Sequence, residues 1–124
     1  MDVTPLVPAG RQLVEGYGDG GFTISGVRWS GSVLVLPHRT AAWPVTALAE
    51  VTIASLREVL AEIPAPEILV LGCGSRMGPV PRELRAALRA AGTVVEPMDT
   101  GAACRTYNVL LTEDRRVAAA LIGV

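Results

Sequence analysis

Lysine is missing from this chain: all eleven basic residues are arginine, set against twelve acidic ones, for a formal net charge of −1. With no net field to draw it to nucleic acid or acidic lipid, and no surface of interleaved basic and aromatic residues, nucleic-acid binding is excluded as a reading. The arginine bias is what a GC-rich genome produces and carries no function by itself. Aromatic residues are scarce too, two Trp, two Tyr and one Phe, so the core must be aliphatic. One histidine, His38, and two cysteines, Cys73 and Cys104, show no metal-ligand spacing, and we expect neither metal nor cofactor. The uncharged runs 40–49 and 117–124 fall short of the ~20 residues that span a bilayer. No charged, apolar, small-residue leader opens the chain, and the expectation is a reduced, cytoplasmic protein.

Apolar residues make up 50% of the chain, mostly Val, Leu and Ala, which suits a sheet buried on both faces by helices. At 124 residues we expect a single domain, with 1–15 as a loop-like arm and 16–124 as an α/β core. Residues 1–20, rich in Pro and Gly, read as loop. "FTISGVRW" and "GSVLVLP" alternate and are β-branched, which predicts a hairpin or meander joined through Ser30-Gly31. Residues 38–51, with His38 and Trp43-Pro44, read as a surface connection or an edge.

From there the pattern is regular. "TIASLREVLAEI" predicts a helix with Ile53, Leu56, Leu60 and Ile63 on one face, capped by Ser55 with Glu58 or by Thr52 upstream. "EILVLG" is a buried strand, and "PRELRAALRAAG" a helix with Pro81 in its entry and Gly92 as its stop. "TVVEPM" is the next strand, a third helix starts at Thr100, and "RVAAALIG" closes as a strand. The order predicts a three-layer α/β domain: a central mixed sheet with an antiparallel N-terminal lead-in, followed by β-α-β-α-β-α-β.

Three segments look like chemistry. Asp99-Thr100-Gly101 matches an aspartic-protease tripeptide, but that mechanism needs two such loops on β-rich bodies so that two carboxylates share a proton. The local reading has Thr100 as N-cap and Asp99 in the favourable field of the helix dipole, with Ala103, Tyr107, Leu110 and Leu111 as an apolar stripe. Cys104, on the flank of that stripe, would gain nucleophilicity if the dipole lowered its pKa; the alternatives are a small buried hydrophobe or a redox pair with Cys73.

"ILVLGCGSRMG" runs a strand into Gly-x-Gly like a nucleotide loop, and Glu96 ends the next strand. Only 28 residues follow Glu96, too few for the further strand–helix units such a cofactor fold needs, so Gly72 and Gly74 read as a tight turn. Arg82, Arg85 and Arg89 recur at i, i+3, i+7 opposite Leu84, Leu88 and Ala91: a solvated face, or with Arg76 a surface for an anion or acidic partner.

The blocks "GYGDGGFTISGVRWSGSVLVLP", "ILVLGCGS", "PRELRAALRAAG" and "VEPMDTGAACRTYNVLLTEDRRVAAALI" together cover most of residues 14–122. In these the chain resembles the small conserved-domain family that includes mitochondrial respiratory complex I assembly factor three and its archaeal and bacterial relatives. It looks most like a bacterial member. The resemblance implies a three-layer α/β domain and no established reaction, cofactor or catalytic residue. It also implies a role in building a membrane-bound respiratory complex, through another assembly protein. Bacterial relatives are often encoded beside protein-export translocase genes. Where Cys73 stands the family more often has threonine, which weakens a redox pairing with Cys104.

The expectation is therefore a protein-interaction domain rather than an enzyme, its partner another protein such as a membrane-complex subunit or assembly factor. The candidate surface is the rim where two loops leave parallel strand ends, Gly72, Gly74 and Arg76 from one and Asp99, Thr100, Gly101, Cys104 and Arg105 from the other. The rival is a small-molecule or anion binder, or an enzyme, on the same rim. Arg105 would either meet a partner or brace the turn by pairing with Asp99.

Overall fold

The computed structural model describes residues 10–124, so the calls on 1–9 within the N-terminal arm lie outside the described residues. Its eight strands form two sheets. Strands β1 (Val14–Gly18), β2 (Gly21–Ile24) and β3 (Val27–Ser30) make an antiparallel meander, in the order β1-β2-β3. Strands β4 (Val33–Val35), β5 (Thr40–Ala42), β6 (Ile68–Gly72), β7 (Val94–Met98) and β8 (Val117–Leu121) make a mixed sheet ordered β5-β4-β8-β6-β7. β6 is parallel to both β7 and β8, while β4 is antiparallel to β8 and β5.

Strand periodicity of two divides the apolar residues between the faces of this sheet. Leu34, Leu36, Leu69, Leu71, Ala118, Ala120 and Ile122 belong to one core, with Leu84 and Leu88 from helix α2 (Arg82–Ala90). Val33, Val35, Val70, Val117, Ala119 and Leu121 belong to the other, with Phe22 and Ile24 of the meander and Ala103, Tyr107 and Leu111 of helix α3 (Thr100–Thr112). The three layers are thus α2 with its neighbouring turns, the five-stranded sheet, and α3 with the meander. β8 is buried throughout, and its three alanines let both outer layers approach closely.

The expected architecture holds, with three corrections. First, Val14–Gly18 is a strand where a loop was expected within 1–20. Its glycines hide the alternation, and pairing with β2 and a grip from α3 supply what local propensity does not: Asn108 Oδ1 accepts from the Val14 N–H (3.1 Å), and Asn108 Nδ2 donates to the Val14 carbonyl (2.7 Å).

Second, "FTISGVRW" folds back on itself at Ser25-Gly26, both at positive φ (45° and 83°), the backbone a two-residue hairpin demands. Ser30-Gly31 instead carries the chain from one sheet to the other. Third, the expected helix over 52–63 is a 3₁₀ turn, Ala54–Leu56, and one turn of α-helix, α1 (Arg57–Leu60). Pro64 bars the preceding residue from helical backbone, and the exit breaks there. Of the expected face Leu56 is buried, but Ile53 and Ile63 are exposed and Val59 fills the core instead. Thr52 does cap: its Oγ1 accepts from the Ser55 N–H (3.1 Å). Residues 40–42, within the segment read as a surface connection or an edge, are the edge strand β5.

α2 enters through Pro81 and ends at Gly92, which takes φ 92°. Burying Leu84 and Leu88 contributes about 1.5–3 kcal/mol each. Among the described residues no helix is long and apolar enough to cross a membrane.

Candidate functional site

Because β6 and β7 run parallel, the loops that leave them emerge at one edge of the sheet. They do more than lie side by side. The Cys73 N–H donates to the Met98 carbonyl (2.8 Å), the Thr100 N–H to the Gly74 carbonyl (2.8 Å), and the Ile122 N–H to the Gly72 carbonyl (3.0 Å).

The Thr100 hydroxyl sits in the middle, fully buried. It accepts from the Gly74 N–H (2.9 Å) and donates to the Ile122 carbonyl (2.8 Å), tying the ends of three strands through one side chain. Gly74 presents that N–H from φ 100°, a backbone glycine adopts without cost. Gly72 lies so close under α3 that a Cβ there would come within 3.0 Å of Thr100 Oγ1 and 3.1 Å of Leu121 Cδ2. The Gly-x-Gly of the sequence is therefore the seat of Thr100.

This places Thr100 one residue inside the helix. The N-cap is Asp99, in extended backbone (φ −63°, ψ 157°), with Oδ1 accepting from the Ala102 N–H (2.9 Å). The expected cap was one residue late: a threonine and an aspartate cap equally well, and only the tertiary role of the hydroxyl separates them. Both polar side chains of the Asp-Thr-Gly tripeptide are engaged with local backbone.

Cys104 faces inward with Thr100, Ala103, Tyr107 and Leu111, not on the flank of the stripe. Burial pushes its thiol pKa up from 9.0 to about 12, outweighing the lowering by the Arg105 charge; Asp99 adds a further rise. Desolvation outweighs any lowering by the helix dipole, and of the alternatives raised for Cys104 the small buried hydrophobe is the one its position matches. Cys73 is buried in the core on the opposite face of the sheet, so the two thiols do not form a pair. Burial raises the Tyr107 phenol in the same way; it donates to the Gln12 carbonyl (2.6 Å) and pins the chain entering β1.

Outside the knot the rim is open. Arg105 is exposed, and its Nη1 donates to Tyr17 Oη (3.3 Å); of the two alternatives raised for it, the brace to Asp99 is not formed among the described residues. Tyr17, contributed by β1 and 45% exposed, was not anticipated as part of the rim. It stands directly over Gly101, where a Cβ would come within 2.6 Å of the phenol oxygen. No sequence signal marks it, since it belongs to a segment distant in the chain.

Arg76 lies exposed on the β6–α2 loop and makes no ion pair among the described residues. Two open hollows flank the knot: one of about 480 Å³ beside Leu48, Cys73–Ser75 and Gly123, and one of about 200 Å³ beside Glu15, Tyr17, Arg105 and Asn108. Asp99 and Thr100 line neither. The exposed groups offer hydrogen-bond donors and an aromatic edge.

An antiparallel meander and α3 laid over a mixed sheet make a compact α/β fold that solved structures share. One is the crystal structure of an outer membrane protein from Bartonella henselae: TM-score 0.86, 37% identity, covering 96% of this chain and 99% of that one. The chain belongs to the family described as protein of unknown function (DUF498/DUF598), whose model matches residues 14–122. It is 40% identical over 114 residues to an uncharacterized protein of Rhodobacter capsulatus, covering 92% of this chain and 86% of that one. It is 36% identical over 114 residues to human NADH dehydrogenase (ubiquinone) 1 alpha subcomplex assembly factor 3, covering 92% of this chain and 62% of the human protein's length. The family seen in the residue blocks is the family matched.

Proposed function

We propose that this chain is a partner-binding domain that serves the assembly of a membrane-bound respiratory complex. Supporting this is the likeness to the human assembly factor across nearly all of the described chain. The geometry adds a division of labour to that likeness. Gly72, Gly74, Asp99, Thr100 and Gly101 build the rim, Cys104 packs beneath it, and Tyr17, Arg76 and Arg105 are the side chains left to meet a partner. The binding reading is favoured over a reactive site because the carboxylate and hydroxyl are occupied and the thiol is held protonated.

The test is genetic and biochemical. Deleting the gene from its own organism should lower the mature NADH-oxidising membrane complex on native gels and build up its subassemblies. Wild-type protein should restore the complex, and a Tyr17→Ala/Arg105→Ala double variant should not, although it folds. An unchanged complex in the deletion strain would sink the assembly role; full rescue by the double variant would move the surface elsewhere.

A further inference from the structure

We infer that the outward face of α2 is a second docking surface, independent of the rim, whose occupant is an acidic helix of a partner protein. Three guanidiniums carry it. Arg82, Arg85 and Arg89 are exposed and border one shallow hollow of about 200 Å³ with Ala86 at its base.

Four of the eight arginines elsewhere in the chain set a contrast. Arg11, Arg39, Arg115 and Arg116 all meet carboxylates, at 3.1 to 3.6 Å, whereas among the described residues none of the three on α2 does. Arg85 Nη1 donates instead to the Val95 carbonyl (3.3 Å), an interaction between a charge and a neutral group. Glu83 is the only acid on the helix, so α2 carries a net charge of +2 on a chain whose total is −1. Like charges at i, i+3 and i+7 repel one another and weaken an isolated helix. Burial of Leu84 and Leu88 offsets that cost, and carboxylates brought by a partner would remove it.

Spacing selects the form of the occupant. Arg82 to Arg89 spans about 10 Å along the axis, in steps of one helical turn. Carboxylates three or four residues apart on a second helix match those steps, whereas same-face side chains of an extended strand recur about every 6.7 Å. Ala86, small and central, lets the second helix approach. A lipid surface fits less well. Leu84 and Leu88 of α2 are committed to the core, and no large hydrophobic side chain of this helix remains exposed to enter a bilayer.

The experiment uses the full chain and a fluorescein-labelled, alanine-based helical peptide with glutamates at i, i+3 and i+7. A second peptide of equal charge carries them at i, i+2 and i+5. Anisotropy at low salt should show the first binding more tightly. The Arg82→Gln/Arg85→Gln/Arg89→Gln variant should weaken it about tenfold, a few-fold for each exposed ion pair. Added salt should weaken it further. Circular dichroism checks that the variant folds.

No binding up to millimolar peptide, equal binding of both peptides, or binding indifferent to the three substitutions would each overturn the inference. So would vesicles of phosphatidylglycerol that outcompete the peptide through the same arginines, since the face would then be a membrane contact. Arg105→Ala should leave peptide binding unchanged, which separates this surface from the rim.

Discussion

The inner and outer halves of the rim are made from neighbouring residues and behave oppositely. Within the knot, Gly72, Gly74 and Thr100 are buried, the Thr100 hydroxyl both accepts and donates a hydrogen bond, and a methyl added at Gly72 would be crowded by Thr100 and Leu121. A few ångströms away, Tyr17 lies over Gly101 with its hydroxyl at the surface, where it meets the exposed Arg105. Chemical-looking letters therefore fall on both sides of a physical line: buried polar groups must be satisfied internally, and exposed ones are free to recognise something else. The protease-like tripeptide falls on the buried side. Its likeness to a catalytic loop comes from strand-to-helix architecture, which needs a cap, a hydroxyl and a small residue in that order.

The comparison breaks most readily at Thr100. Thr100→Val keeps the shape but strands the Gly74 N–H and the Ile122 carbonyl, and should cost about 2–4 kcal/mol in denaturant unfolding. Thr100→Ser should keep both bonds and lose about 1 kcal/mol for the missing methyl; equal losses in the two variants would show that packing, not the hydroxyl, holds the strand ends. Next comes Gly72→Ala, which drives a Cβ against Thr100 and Leu121 and should cost about 1–3 kcal/mol. Asp99→Ala should cost about 1 kcal/mol through the lost cap. On the outer side, Arg105→Ala should stay within about 0.5 kcal/mol of wild type, and a larger loss would make Arg105 part of the knot.

The buried thiol gives a pH signature of the inner half. Its folded-state pKa is raised to about 12 from 9.0, so folding keeps a proton that the unfolded chain releases. Stability is then intact below about pH 9 and falls as pH rises from 9 toward 12. The raised Tyr107 phenol extends the fall in the same direction. Cys104→Ala should shallow the decline, and native Cys104 should resist alkylation at pH 8 until denaturant is added. Fast alkylation of the folded protein would refute its burial.

Much of the fold was legible because β6, α2, β7, α3 and β8 carry strong local signals. Apolar runs are bounded by glycine and proline, and Leu84, Leu88, Tyr107 and Leu111 recur at helical spacing. The segment 52–63 shows the limit of that signal. Its apolar residues recur at the right interval, yet Pro64 and the reciprocal Thr52–Ser55 hydrogen bonds divide it into short turns. Strand β1 was illegible for the opposite reason, as Gly16 and Gly18 give it no pattern and it forms only because β2 and Asn108 hold it. For the site, the two loops and their shared edge could be read from strand order, but Tyr17 could not, since it arrives from 84 residues before Gly101.

What the sequence determined by itself was the class of fold, the aliphatic core and the order of helices and strands, because periodicity and turn chemistry act over a few residues. The tertiary structure alone decided that Asp99 rather than Thr100 caps α3, that Cys104 is buried beneath the rim, and that Arg105 meets Tyr17. Each of those depends on which distant groups take up a hydrogen bond or exclude water, and such partners are chosen only when the sheet closes.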